Sequence, residues 1–392
     1  MLYSHIMIRY GELTLKGKNR KDFIDCLFLN VKKACADIPH LEFEKQYDRM
    51  YITFLDESVI EDLLQRLKLI SGISSYSLVA KMEKDIDIMK EKIILMLQQK
   101  KVEPTSTFKV IARRSDKNFP IVSDQINREI ASEILKNTNL KVDVHQPDIK
   151  IKIEVRLDAC YVYFDQIEGL KGFPLGMGGK GLLMISGGID SPVAGFLMMK
   201  KGVKIEAIHF SSPPYTSDMA VYKVKTLLQS LAKIQGDIKL YTIPFTELQL
   251  KIYECCGDTY AITIMRRMMY RIAEIIAKKD RCLCIINGES VGQVASQTLE
   301  SMQVINEVTN MVILRPLAVM DKNEIIRIAK EINTYATSIL PYEDCCTIFN
   351  PKNPTTKPKH KECEFLESKF DFVSLIARCI ENATIEYIHV SN

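Results

Sequence analysis

From Leu182 onward, short runs of almost unbroken apolar residues alternate with longer segments of helical period. LLMIS, KIEAIHF, IKLYTIPF, RCLCIING and MVILRPL read as strands covered on both faces, because a half-solvated strand would alternate polar and apolar positions. Between them, SPVAGFLMMKKG, 218–235, 259–279, a stretch near 291–301 and DKNEIIRIAKEI read as helices. Buried strands joined by helical crossovers specify a doubly wound parallel α/β sheet, which takes its ligands beyond the C-terminal ends of its strands.

The preceding residues follow a different rule. SHIMIRY, LEFEKQ, MYITFL and ISSYSLVA alternate as half-buried strands, with helical patterns over 18–37 and SVIEDLLQRLKL. The order β-α-β-β-α-β over 1–80 predicts a ferredoxin-like α+β domain. A second α/β unit is expected over 81–168: helix 84–100, strand TFKVIARR, a helix near 122–137, then strands IKIEVRL and ACYVYFD. Residues 169–181 hold six glycines and a proline and read as a linker. Their GMGGKG lacks the spacing of a Walker loop, since Lys180 is followed by Gly181. The last unit runs over 182–392. Its proline- and lysine-rich NPKNPTTKPKHK is expected to be an exposed loop with helix-like sequence after it.

Composition narrows the class. No stretch of the 392 residues approaches eighteen consecutive apolar positions, and the N-terminus carries charges and a turn where a signal peptide would be apolar. A cytoplasmic protein without membrane attachment is expected. Lysine and arginine number 53 against 49 acidic residues, so a surface for a polyanion must be local. Two segments qualify. YGELTLKGKNR carries Lys16, Lys18 and Arg20, and Lys100–Lys117 holds six basic residues against two acidic, among them Lys109, Arg113, Arg114 and Lys117. Both suit RNA phosphate contact, and both equally suit a solvated charged face. Eleven cysteines without any C-x-x-C give no disulfide framework, zinc ribbon or cysteine-bound iron–sulfur cluster. Cys282 and Cys284 alternate on a strand as core residues. Cys255-Cys256 also reads as packing.

Ser186-Gly187-Gly188-Ile189-Asp190-Ser191 stands between the strand LLMIS and a helix expected to have Pro192 at its first position. Backbone N–H groups at such a helix start cradle an anion, and the helix dipole favours negative charge there. Ser191 is expected as N-cap, Ser186 and Ser191 add hydroxyl donors, and Asp190 is available for Mg2+. With no Walker lysine, the loop suits pyrophosphate as a leaving group.

SGGIDS resembles the PP-loop of the N-type ATP pyrophosphatases. Together with YGELTLKGKNR, FKVIARRSDKNFP, GESVGQVASQT and YEDCCTIFNPKNPTTKP, in that order, it resembles the tRNA 4-thiouridine synthetase (tRNA sulfurtransferase) family over essentially the whole chain. The resemblance implies a ferredoxin-like domain, a THUMP α/β domain that binds RNA, and a PP-loop adenylation domain. It implies the short form, without the rhodanese domain to which a thiazole-biosynthesis role is tied. The implied ATP site comprises Met184, Ile185, Ser186, Gly187, Gly188, Asp190, Ser191, His209, Phe210, Arg266, Gly288 and Gln297. Met184 and Ile185 also read as core strand residues with backbone contacts, and sequence does not separate Arg266 from Arg267. The implied chemistry is adenylation of a uridine O4, at position 8 of tRNA, followed by displacement of AMP by persulfide sulfur. The family's cysteine at the end of YEDCC favours Cys346, with Cys345 adjacent. The implied cofactors are ATP and Mg2+, with neither zinc nor an iron–sulfur cluster. The implied partners are tRNA, a cysteine desulfurase as persulfide donor, and a second copy in a homodimer. Two other readings are a non-catalytic THUMP tRNA-binding protein, and another PP-loop ATP pyrophosphatase acting on RNA. Intact SGGIDS and YEDCC discriminate against the first.

Overall fold

Strands of period two make a sheet with two unlike faces. The computed structural model describes residues 2–100, 102–342 and 353–390, and the chain divides into two units, Met1–Pro174 and Leu175–Asn392. The strands of the first unit are β1 (His5–Arg9), β2 (Glu42–Lys45), β3 (Arg49–Thr53), β4 (Ser75–Met82), β5 (Thr107–Arg114), β6 (Lys141–Val142), β7 (Ile149–Val155), β8 (Cys160–Tyr163) and β9 (Ile167–Glu168). Its helices are α1 (Arg20–Ala34), α2 (Ile60–Leu67), α3 (Ile86–Gln99) and α4 (Ser123–Asn137). All nine strands share one sheet, in the order β2-β3-β1-β4-β8-β7-β5-β6, with β9 on β4. The antiparallel β4–β8 pairing continues the ferredoxin-like half into the second half. The short strands β6 and β9 carry no alternation long enough to read from sequence.

Residue parity sorts the side chains. Ile6, Ile8, Met50 and Ile52 join Leu27, Val31, Leu63 and Leu67 in one core. Phe108, Val110, Ile151 and Ile153 join Met89, Ile93, Ile126 and Ile130 in another. Residues of opposite parity meet on the other face, where Met7, Tyr51, Val79, Tyr161 and Tyr163 cluster without any helix residue. Tyr51 and Tyr161 stack with centroids 5.0 Å apart, although β1 and β4 lie between their strands. Flat strands about 4.8 Å apart could not bring them together, so the sheet curls tightly around these rings. Ion pairs Arg49–Glu154 and Arg156–Asp48, both 2.7 Å, tie the two halves across the curl.

In the second unit, β10 (Lys180–Met184), β11 (Lys204–Ser211), β12 (Ile238–Pro244), β13 (Cys284–Ile286) and β14 (Val312–Leu314) run parallel in the order β14-β13-β10-β11-β12. The connecting helices are α5 (Asp190–Lys200), α6 (Asp218–Gln235), α7 (Thr246–Lys279), α8 (Leu299–Asn306) and α9 (Lys322–Glu331). Helices α10 (Tyr335–Ser338), α11 (His360–Glu367) and α12 (Phe372–Glu381) precede β15 (Thr384–Ile388), which pairs antiparallel with β12. That edge strand departs from the all-parallel expectation. Its short TIEYI is largely exposed, so it lacks the apolar run by which the other strands are recognised. Two helix expectations are corrected. α7 begins at Thr246 rather than 259, bending at Gly257, whose φ of +64° only glycine takes readily. In place of a helix near 291–301 there is a 3-10 turn at Ala295–Gln297 and then α8.

α7 is the axis of the second core, with Met265, Met268, Ile272 and Ile276 buried. In the same helix Arg267 is buried and held by Glu367 of α11 at 2.6 and 3.2 Å, while Arg271 binds the same carboxylate twice at 2.9 Å. Burial opposes ionisation of Glu367, but the two guanidiniums prevail and hold its carboxyl below the ordinary glutamate range. The folded-state value is therefore depressed. Its stabilisation is complete above the ordinary glutamate range and is lost as pH falls through the folded value. Removing one partner of a buried ion pair costs about 3–5 kcal/mol. Glu367→Ala is expected to lower the unfolding free energy of the second unit at neutral pH by that order. The deficit relative to wild type should shrink on acidification, as followed by chemical unfolding at pH 7 and pH 3.

Candidate active site

The C-terminal ends of β10, β11 and β13 open on one cavity of about 250 Å³. β13 and β11 flank β10 on opposite sides, so the loops leaving β10 and β13 diverge and leave a crevice between them. Met184, Ile185 and Ser186 line it from β10, Asp190 and Ser191 from the start of α5, and His209 and Phe210 from β11. Arg266 and Met269 reach it from α7, Asn287, Gly288 and Glu289 from the segment after β13, and Gln297 from the 3-10 turn. Ten of the twelve residues expected at an ATP site thus share one cavity. Gly187 and Gly188 are not among those lining it. They lie in the turn, and neither takes a positive φ.

The serines of the loop close it on itself. Ser191 Oγ accepts the Ser186 N–H at 2.9 Å, and Ser186 Oγ accepts the Gly188 N–H at 3.3 Å. The Ser338 hydroxyl donates to the Gly188 carbonyl at 3.3 Å. Ser191 is therefore not the N-cap: α5 begins one residue earlier, at Asp190, and the hydroxyl is spent on the loop. Gly288 permits close contact between the two loops. A Cβ there would fall 2.7 Å from the Asp190 carbonyl carbon and 2.8 Å from the Ser191 nitrogen, both backbone atoms.

Charge is arranged around Glu289, which is 3% exposed. It pairs with Arg266 and, at 2.6 Å, with Arg315, and accepts from Asn287 Nδ2 at 2.9 Å. Burial works against its charge, yet Arg266 and Arg315 outweigh that and lower its pKa, so it is ionised. The clamp fixes Arg266 at the cavity wall, whereas the adjacent Arg267 turns to Glu367 in the core. His209 is buried with Nδ1 3.1 Å from the Ile185 carbonyl, and the Phe210 ring packs edge-on to Phe245. Asp190 meets Lys322 Nζ at 2.5 Å and Gln293 Nε2 at 3.3 Å. Sequence reading missed Glu289, Asn287 and Lys322. Asn287 and Glu289 flank Gly288 in NGES and were open to recognition there. Lys322 lies 132 positions from its partner, and nothing local marks it.

The residues expected to contact RNA lie in the first unit. Lys18, Arg113 and Lys117 are exposed. Lys16 sits over the Phe173 ring at 4.3 Å, and Arg20 over Tyr47 at 3.4 Å. Lys109 donates to the Val144 carbonyl at 2.9 Å and Arg114 to that of Phe119 at 2.5 Å. Cys345 and Cys346 lie outside the described residues. Of the other cysteines, Cys256 and Cys282 are buried with thiols pushed by burial up to about 12, which makes them packing groups. Among the described residues no grouping of His, Cys, Asp and Glu could hold a metal ion, and no helix is long and apolar enough to cross a membrane.

Residues 176–372 match the family described as Thiamine biosynthesis protein (ThiI), 5–77 the ThiI ferredoxin-like domain, and 83–165 the THUMP domain. A probable tRNA sulfurtransferase of Lysinibacillus sphaericus is 50% identical over 386 residues, covering 98% of this chain and 95% of that protein. One from Staphylococcus aureus is 49% identical over 393 residues, covering 100% and 96%. The crystal structure of a 4-thiouridine synthetase–RNA complex with bound ATP superposes with a TM-score of 0.91 at 38% identity, covering 99% of this chain and all of that one. A protein of Pyrococcus horikoshii shares the fold, with a TM-score of 0.66 at 21% identity over 84% of this chain and 99% of that one. With about half its positions identical to relatives aligned over almost its entire length, the chain belongs to the tRNA sulfurtransferase (ThiI) family.

Proposed function

We propose that this protein thiolates a uridine of tRNA, at position 8, to 4-thiouridine in an ATP-dependent reaction. The observation that carries the reading is the cavity at the strand ends, in which Ser186, Asp190 and Ser191 of the SGGIDS loop meet Arg266, with Lys322 paired to Asp190. ATP would place its phosphates against the loop and the N-terminus of α5, where oriented N–H groups favour anions. Arg266, held by Glu289, would meet phosphate charge. The apolar walls of Met184, Phe210 and Met269 suit the base. Asp190 offers the hard oxygen that Mg2+ prefers, and bound Mg2+ would neutralise charge developing on pyrophosphate. Lys322 holds the Asp190 carboxylate in place through their ion pair.

The reaction then divides into two displacements. Uridine O4 attacks the α-phosphorus of ATP, the P–O bond to the β-phosphate breaks, and pyrophosphate leaves. Carbon 4 is now electrophilic, with AMP as its leaving group. The terminal sulfur of a persulfide on Cys346 forms the C4–S bond as AMP departs with the C4–O electron pair. A second thiol then cleaves the remaining S–S bond, forming a protein disulfide and leaving sulfur on the base. A cysteine desulfurase supplies the persulfide. Thiolate character makes sulfur a better nucleophile than water at neutral pH.

Two variants separate the steps. Asp190→Ala should cut tRNA-dependent pyrophosphate release by about a hundred-fold or more, the scale of losing one transition-state charge partner, while the unfolding midpoint stays near wild type. Cys346→Ser should still release pyrophosphate with tRNA but form no 4-thiouridine, and Cys345→Ser should lose less. Both are read by a pyrophosphate assay alongside nucleoside mass spectrometry of the product. Full pyrophosphate release by Asp190→Ala, or full thiolation by Cys346→Ser, would contradict the respective assignment.

A further inference from the structure

The helix-free face of the first unit's sheet carries an excess of positive charge that neutral partners occupy but do not neutralise: Lys109 donates to the Val144 carbonyl and Lys152 to Gln166 Oε1, each at 2.9 Å. Strand parity that buries Phe108, Val110, Ile149 and Ile151 against helices places Lys109 and Arg113 of β5 and Lys150 and Lys152 of β7 on the opposite face. Lys109 and Lys150 are register partners, and Lys152 is opposite Tyr163 of β8. Arg9 of β1 joins them, its guanidinium 4.8 Å from the Tyr163 ring, with Lys152 Nζ 5.6 Å from the same ring. The row crosses β1, β4, β8, β7 and β5, about 19 Å along the sheet at about 4.8 Å per strand.

Little acid balances it. Glu154, the carboxylate among these strands, is taken by Arg49 at 2.7 Å, the Tyr163 hydroxyl at 2.8 Å and Arg156 at 3.9 Å. Arg9 gives Nη1 to Ser77 Oγ at 3.0 Å, but its Nη2 is buried with no hydrogen-bond partner among the described residues. Burial and the nearby Arg9, Lys150 and Arg113 push the Lys152 ammonium below the ordinary lysine range. Crowded cations with an unmet donor are relieved by an anion. Tyr163, the ring beneath them, is 4% exposed, so it offers no face on which a base could stack. An extended row without a stacking platform reads phosphates and not bases.

We infer that this face is the track for the RNA phosphodiester backbone, with Lys150 and Lys152 as phosphate-contacting residues beside Lys109 and Arg113, and Arg9 adding positive charge behind them. The inference rests on the tRNA reading above and adds where on the first unit the substrate lies.

The test is the salt dependence of tRNA binding by the full chain carrying Lys150→Gln and Lys152→Gln together. Affinity at low salt should fall about ten-fold, and the slope of log K against log salt should drop by about two, one per lost contact. At saturating tRNA the rate of pyrophosphate release should equal wild type, with only KM for tRNA raised. The double Lys→Arg variant should restore affinity and slope, which a merely structural role would not do for both. Unchanged affinity and slope, or a loss without change of slope that arginine does not rescue, would overturn the track. A wild type that thiolates tRNA while the glutamine variant binds it equally well overturns this inference alone. A wild type that neither binds nor thiolates tRNA overturns both.

Discussion

The second unit depends on one buried carboxylate. Glu289 lies at the meeting of the β13 loop, α7 and the end of β14, and it is charged only because Arg266 and Arg315 surround it. A carboxylate so deeply buried would otherwise be neutral, since desolvation costs several kcal/mol. In return it fixes Arg266 against the cavity, where a solvated arginine would sample many rotamers. A polar clamp thus converts three separate elements into one rigid wall, and a wall that does not reorganise is what electrostatic stabilisation of a phosphoryl transition state requires.

The loop opposite is held differently. SGGIDS has no lysine of its own, and its serines satisfy the backbone of the turn. Positive charge reaches the loop from outside, through Arg266 and Lys322. Gly288 lets the two loops touch, because any side chain there would collide with the backbone of Asp190 and Ser191. The cavity is therefore a product of topology: β10 delivers a donor-rich turn, α7 delivers Arg266, and the segment after β13 delivers the carboxylate that holds that arginine.

Much of this was legible beforehand. Near-continuous apolar runs such as LLMIS and the CLCII of RCLCIING identified the parallel strands, because a strand buried on both faces has few polar positions to spend. Period-two strands identified the N-terminal sheet for the converse reason. What sequence could not carry was distance in the chain: Asp190 and Lys322 are 132 positions apart, and Arg266 differs from Arg267 only by one step of helical phase. The antiparallel β15 escaped because an exposed edge strand needs no apolar run. The curl that stacks Tyr51 on Tyr161 escaped because it follows from sheet twist accumulated over several strands, and no single residue encodes it. Parity did encode the lysines of β7 on the helix-free face, but only after the helices had declared which face they cover.

These features converge on one claim, that the cavity activates a tRNA uridine for replacement of oxygen by sulfur. The most direct measurement is nucleoside mass spectrometry of bulk tRNA from cells lacking this gene, with and without the gene restored on a plasmid. The account predicts that 4-thiouridine disappears in the deletion and returns on complementation, with other modified nucleosides unchanged. Undiminished 4-thiouridine in the deletion strain would contradict it.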